Sequence, residues 1–250
     1  MNLKKLINPN HINLKRNEGK KLNRRYFYNL EKNEKIFPFS FNFIKKIKKE
    51  IDSKLISNYP DLNDTYRKLA KFIKINIKNI YLTPGGDGGC KSILEALIYK
   101  KNHNIIINNP SYAMFEIYCR SLGGKVIKID YTKDFKFNEK KYLNLIDRFT
   151  KLIIFENPSG YFGDFVEVTK ILKFSKILKR RGIFLVFDVA YLNFKEKKRH
   201  NINFSIINKF TNVIILISFS KFFGLAGLRA GCVLANKNFI KYLKNNKPLN

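Results

Sequence analysis

The sequence has only three cysteines and three histidines, and its 19 acidic residues are outnumbered by 49 lysines and arginines. Cys90, Cys119 and Cys232 stand alone, without metal-like spacing or the density of a disulfide framework, which points to a reducing compartment and a cytoplasmic location. His11, His103 and His200 lie far apart and group with no other ligand-type residue, so no metal site is expected. The opening M-N-L-K-K-L-I-N-P-N lacks the apolar core of a signal peptide, and no apolar run approaches membrane-spanning length. Internal repeats and low-complexity linkers are also missing.

The shortage of acid leaves a formal net charge of +30. Such an excess suggests nucleic acid or an anionic membrane as a partner. Against this, Lys, Asn, Ile and Phe are all abundant, and all have codons made largely of A and T. The lysines are also scattered (Lys45, Lys46, Lys48, Lys49, then Lys68, Lys71, Lys74, Lys78) at helical spacings that suit a solvated face. We read the charge as compositional bias, with neither nucleic acid nor membrane as partner, on a surface that still draws in anionic small molecules. With 250 residues and 45% hydrophobic content, the chain can build one large core, alone or with an incomplete second domain.

Residues 1–40 are polar and basic with no sustained period and read as an N-terminal arm. Apolar residues recur at helical spacing from Phe43 to Ile56, and Leu69, Phe72 and Ile73 mark a second helix. Short strands then alternate with helices. The strands are expected at Ile105–Ile107, Val126–Ile129, Leu152–Phe155, Ile183–Phe187 and Val213–Ile217. The helices are expected near Gly89–Tyr99, Tyr112–Leu122, Glu139–Phe149 and Glu167–Lys179. Continuous apolar strands separated by helices imply a mostly parallel sheet covered on both faces, a three-layer α/β/α sandwich.

The residues just past the strands carry the chemistry. N-N-P-S-Y comes after Ile107, E-N-P-S-G after Phe155, D-V-A-Y after Phe187 and S-F-S-K after Ile217. In open parallel sheets ligands lie outside the carboxyl ends of the strands, so these four ends deliver polar groups to one edge. Lys221, beside Arg229 at the end of V-I-I-L-I, is a candidate nucleophile able to form a Schiff base. The P-loop pattern G-x-x-x-x-G-K-[ST] is absent, which excludes that reading of the lysine. Asp188 could pair with a protonated ring nitrogen and keep a pyridine cofactor electron-poor, with Tyr191 donating to its phenolic oxygen; a cap or turn also explains such a pair. T-P-G-G-D-G-G at 83–89 lets backbone N–H groups approach an anion at a helix start, or forms a turn with Asp87 as N-cap. Ser218, Ser220 and Arg229 add phosphate donors, and Tyr112 could lay its ring on a flat cofactor.

S-F-S-K-F-F-G-L-A-G-L-R-A-G at 218–231 resembles the lysine signature of class I/II pyridoxal-phosphate aminotransferases of fold type I, most closely the histidinol-phosphate aminotransferase branch. N-Y-P-D at 58–61, the glycine-rich turn, N-P-S-Y at 109–112 and D-V-A-Y at 188–191 resemble further family landmarks in the family's order, from about Tyr59 to Leu243. The resemblance implies a pyridoxal 5'-phosphate enzyme that moves an amino group from an amino acid or amino-phosphate donor to a 2-oxo acid. Decarboxylases of the same branch, and a truncated non-catalytic remnant, are the alternatives. By the resemblance Lys221 carries the cofactor and shuttles the proton, Asp188 pairs with the pyridine nitrogen, Tyr191 contacts the ring oxygen and Tyr112 stacks on the ring. Gly86, Asp87 and Gly88, with Ser218, Ser220 and Arg229, hold the phosphate, and Tyr59 reaches the phosphate of a neighbouring subunit, which implies a homodimer.

The chain departs from the family's pattern in three places. Gly88 replaces the acidic residue that usually comes after the turn's aspartate. N-P-x-x-P-T-G is reduced to N-P-S-G-Y-F-G at 157–163; Asn157 can take the asparagine's role, while a gapless alignment puts Gly160 there. The expected division is an arm at 1–40, a cofactor-binding large domain at 41–235, and at 236–250 the start of a helix leading to a C-terminal domain. The third departure is that the sequence stops at N-K-P-L-N, about where that domain would begin; the domain normally brings the arginine that grips the substrate carboxylate, so a fragment is the first expectation.

Overall fold

All five apolar segments expected as strands form strands, and two more complete the sheet. The computed structural model describes residues 7–12, 14–15, 27–28, 30–132, 138–194 and 203–246. Its strands are β1 (Ile80–Pro84), β2 (Asn104–Asn109), β3 (Lys125–Asp130), β4 (Thr150–Glu156), β5 (Phe184–Asp188), β6 (Val213–Ser218) and β7 (Ala230–Leu234). They form one sheet in the order β1-β7-β6-β5-β4-β2-β3. The pairings among β3, β2, β4, β5 and β6 are parallel, and β7 runs antiparallel to both β6 and β1.

The helices are α1 (Pro9–Ile12), α2 (Phe41–Lys49), α3 (Ser53–Ser57), α4 (Asn63–Ile73), α5 (Gly85–Leu97), α6 (Ala113–Ser121), α7 (Glu139–Leu145), α8 (Val168–Arg180), α9 (Ile206–Lys209) and α10 (Lys237–Asn245). Successive strand side chains point to opposite faces, so the unbroken apolar runs feed two cores. Ile153, Phe155, Leu185, Phe187, Val213 and Ile215 pack with Tyr142 of α7 and with Ile171, Phe174 and Leu178 of α8. Leu152, Ile154, Val186, Ile214 and Leu216 pack on the other face with Ile93 and Leu94 of α5, Phe115 of α6, and Ile240 and Leu243 of α10. Each such side chain, taken fully out of water, contributes roughly 1.5–3 kcal/mol, which explains why β4 and β6 are apolar on both sides. This is the expected three-layer sandwich.

Several boundaries differ from expectation. The apolar period from Phe43 to Ile56 is split into α2 and α3, because Asp52 accepts the Leu55 N–H (2.7 Å) as the N-cap of a new helix. Helix α5 begins at Gly85, so the glycines form its first turn instead of preceding it; Asp87 sits within that turn and Pro84 is the N-cap residue. Helix α7 stops at Leu145 because Asp147 accepts from Phe149 N–H (2.8 Å) and from the Thr150 hydroxyl (3.0 Å), forming a turn into β4. Strands β1 and β7 each carry a short apolar run, Ile80 to Leu82 and Cys232 to Leu234, alongside Pro84 and Gly231 respectively. In β7, Gly231 must be small, since a Cβ there would lie 2.6 Å from the Gly85 carbonyl carbon. Cys90, Cys119 and Cys232 are free and buried.

Candidate active site

The parallel strands β2, β4, β5 and β6 all end at the same sheet edge, where their polar endings meet. Glu156 and Asp188 terminate β4 and β5 in register. Asp188 is buried, and one of its oxygens accepts the Ala190 N–H (3.0 Å). Burial, reinforced by the nearby charge of Glu156, raises its pKa to about 7, against the Ala190 hydrogen bond and the attraction of Lys221. Asp188 therefore exchanges a proton near neutrality.

Lys221 lies just past the end of β6, half-buried. Its Nζ lies 5.8 Å from the centre of the Tyr191 ring and donates to the Lys32 carbonyl at 2.6 Å. Burial lowers its pKa, with a smaller contribution from Arg229, while the carboxylates of Glu34, Asp188 and Asp87 oppose the shift. Desolvation thus favours the neutral, nucleophilic amine.

An anion cradle lies beside them. The first-turn N–H groups of a helix have no acceptor within it, and the helix dipole adds positive potential there. In α5 these groups belong to the glycine turn. A Cβ on Gly86 would lie 3.3 Å from the Ser218 Cβ, so backbone, not side chain, faces the serine. Ser220 donates its N–H to Ser218 Oγ (3.3 Å). Arg229, in the left-handed region at φ 50°, has an Nη2 3.1 Å from Asp87 Oδ2, and the space above Gly85 is filled by its guanidinium.

Tyr112 is held at both ends. Its N–H donates to Glu156 Oε1 (2.6 Å), an oxygen that also accepts from the Ser111 hydroxyl (2.6 Å), and its phenol donates to Asp87. Glu156, Tyr112, Asp87 and Arg229 therefore form one connected network from β4 across to β7.

Among the residues singled out from sequence, Lys221, Asp188, Tyr191, Tyr112, Gly86, Asp87, Gly88, Ser218, Ser220 and Arg229 come together at this edge. Asn157 is adjacent to them, its N–H bonded to the Asp188 carbonyl (2.8 Å). Its side chain is turned to Val166, donating to that carbonyl (3.0 Å) and accepting that N–H (2.9 Å). Gly160 faces Tyr191: a Cβ on it would lie 2.6 Å from the ring. Tyr59 is apart from the network, 91% exposed on the connection between α3 and α4.

Sequence reading missed Glu156, although its place in E-N-P-S-G at a strand end was visible. It also missed Lys32 and Asn33, which reach the site from the N-terminal segment; Asn33 donates from Nδ2 to the Tyr191 hydroxyl at 3.0 Å.

The family model for aminotransferase class I and II matches residues 27–249. The chain belongs to this family. It is 32% identical over 221 residues to the histidinol-phosphate aminotransferase of Thermoanaerobacter pseudethanolicus, an alignment that covers 87% of this chain and 61% of that protein. The Clostridium novyi enzyme of the same name is 31% identical over 227 residues, with 90% and 62% covered. The chain thus spans about three fifths of the length of the curated relatives it matches. Among solved structures, the Sinorhizobium meliloti histidinol-phosphate aminotransferase in complex with pyridoxal-5'-phosphate superposes with a TM-score of 0.77 at 21% identity, over 86% of this chain and 58% of that one. The L-threonine-O-3-phosphate decarboxylase of Porphyromonas gingivalis gives 0.67 at 24%, over 82% and 59%. These two likenesses establish the shared fold.

Proposed function

We propose that this chain binds pyridoxal 5'-phosphate at the strand-end site and serves an aminotransferase that moves an amino group between an amino donor, of the histidinol-phosphate type, and a 2-oxo acid. The observation that carries the reading is the buried Asp188 carboxyl, flanked by Lys221 and Tyr191 and set against a separate anion cradle. The residues fit the group. A carboxyl that exchanges a proton near neutrality suits a ring nitrogen, and the close approach of Gly86 to Ser218 leaves backbone N–H groups and hydroxyls for a phosphate. Arg229 supplies a guanidinium for the same anion.

When bound, the cofactor supplies an electron sink for charge developing on the donor's carbon. The chain's residues do the rest. Lys221 Nζ would anchor the cofactor, and its amine, which burial inclines to the neutral form, would take and return the proton at the reacting carbon. Asp188 would pair with the ring nitrogen, Tyr191 would donate to the ring oxygen, and Tyr112, kept in place by Glu156 and Asp87, would offer its ring for stacking. Asn157 braces the β4 end next to Asp188, through its N–H to the Asp188 carbonyl.

The relatives' names support the phosphorylated amino donor, and the basic surface suits it. A homodimer is supported by exposed apolar side chains on the N-terminal helices, among them Phe41, Leu55 and Ile56, close in sequence to Tyr59, which would then reach the partner's phosphate. Free thiols suit a cytoplasmic setting.

The test is to supply the cofactor-loaded protein with histidinol phosphate and a 2-oxo acid, then track the new amino acid and carbon dioxide separately. Amino transfer without carbon dioxide is expected. Carbon dioxide without amino transfer would instead make the protein a decarboxylase.

A further inference from the structure

The N-terminal segment places one more functional group in this site. Asn33 sits in the left-handed region at φ 50°, a conformation that asparagine tolerates better than most residues. This conformation turns the chain so that the Lys32 carbonyl lies 2.6 Å from Lys221 Nζ and the Asn33 amide nitrogen lies 3.0 Å from the Tyr191 hydroxyl. The two partners of this last bond are 158 residues apart in sequence.

The Tyr191 ring is already located by its packing. Gly160 lies so close to the ring, beside Cε2, that no side chain fits there, and Lys221 Nζ stands 5.8 Å from the ring centre. Packing leaves undecided the torsion of the hydroxyl, and hence where its proton points. An amide nitrogen can only donate, so it occupies an acceptor position of the phenol oxygen and leaves the phenol's own proton for another acceptor.

We propose that Asn33 is a positioning residue for Tyr191: its amide fixes the phenol so that the hydroxyl proton is directed into the site, toward the ring oxygen of the bound cofactor. This rests on the role proposed for Tyr191 at that oxygen. A donor that itself accepts a hydrogen bond donates more strongly, by roughly a tenth to a third. Asn33 therefore strengthens as well as aims the Tyr191 bond.

The readout is the pH titration of the bound cofactor's visible absorbance, which reports the proton shared between the Lys221 nitrogen and the ring oxygen. A donor to that oxygen favours loss of the proton, so removing it raises the midpoint. Glu34, Asp87, Asp188 and Arg229 around Lys221, and Asp188, Glu156 and Tyr161 around Tyr191, are common to all the variants compared.

Tyr191→Phe is expected to raise the midpoint by about 1–2 pH units, the value of one hydrogen bond to a charged group. Asn33→Gly removes the amide without straining the left-handed backbone and is expected to raise it by roughly 0.1–0.6 unit, with no further rise when combined with Tyr191→Phe. Asn33→Asp, of the same shape, offers an acceptor that draws the phenol proton away and is expected to raise it more than Asn33→Gly. An unchanged midpoint in both Asn33 variants, or an Asn33→Gly shift that persists in full on the Tyr191→Phe background, overturns the proposal while leaving Tyr191's role intact. An unchanged midpoint in Tyr191→Phe overturns both.

Discussion

Glu156 and Asp188 end adjacent parallel strands in register, so two carboxyl groups share the edge at which the site is built. They divide the work. Glu156 accepts from Ser111, Tyr112 and Gly160 and serves as a brace, while the burial of Asp188, reinforced by Glu156 beside it, keeps a proton on Asp188 up to about 7.

That division makes stability depend on pH. In the unfolded chain Asp188 ionises near 3.8, so between about pH 4 and 7 the folded, cofactor-free protein binds one more proton there than the unfolded chain. Stability from this group is fully present below the lower value and is lost as pH rises through the upper one. Denaturant titrations should show a loss from this source on the order of 2–4 kcal/mol between pH 4 and 7.5. Asp188→Asn should remove it and Glu156→Gln should reduce it. A profile for Asp188→Asn that runs parallel to the parent would count against the assignment.

Arg229 is expected to govern cofactor affinity through the phosphate. Arg229→Ala removes a charge-assisted bond of about 1.5–3 kcal/mol, so the dissociation constant for the cofactor should rise roughly 10- to 150-fold. Arg229→Lys should recover only part of this, because a flat guanidinium fills the space above Gly85 while bonding Asp87. Equilibrium binding measured by absorbance decides it; full recovery by lysine would argue that only the charge matters.

Gly89 tests why the glycine turn is a helix start. An alanine there would gain up to about 1 kcal/mol in helix propensity. Its Cβ, however, would press into Leu216 Cδ1 and stand 3.1 Å from Val233 Cγ2, both fully packed side chains, and overpacking costs about 1–3 kcal/mol. The clash should win, with a lower melting temperature for Gly89→Ala. A variant as stable as the parent would show that β6 and β7 yield easily to α5.

The parallel part of the fold was legible because burial on both faces writes itself into I-I-F and V-I-I-L-I without interruption. The antiparallel pair was not: β7 must approach Gly85 and so contains alanine and glycine, and β1 is five residues long and ends in proline. The break between α2 and α3 turned on one capping side chain, Asp52, inside an otherwise helical period. In the site, residues at strand ends were found because topology sends every strand end to one edge. Asn33 and Lys32 could not be found that way. They arrive from a segment with no period, and they matter through a backbone turn and contacts across most of the chain's length. Asn157 was legible in position, at the end of β4, while the direction of its side chain toward Val166 is set by the loop beyond it.

The cofactor reading stands or falls on Lys221 as the anchor. The most direct measurement is to load the protein with pyridoxal 5'-phosphate, reduce the lysine–cofactor bond with borohydride, digest it and locate the added mass by peptide mass spectrometry. Modification is expected on Lys221, with neither modification nor a visible absorbance band in Lys221→Ala. The mass on another lysine, or a band that survives the substitution, would contradict it.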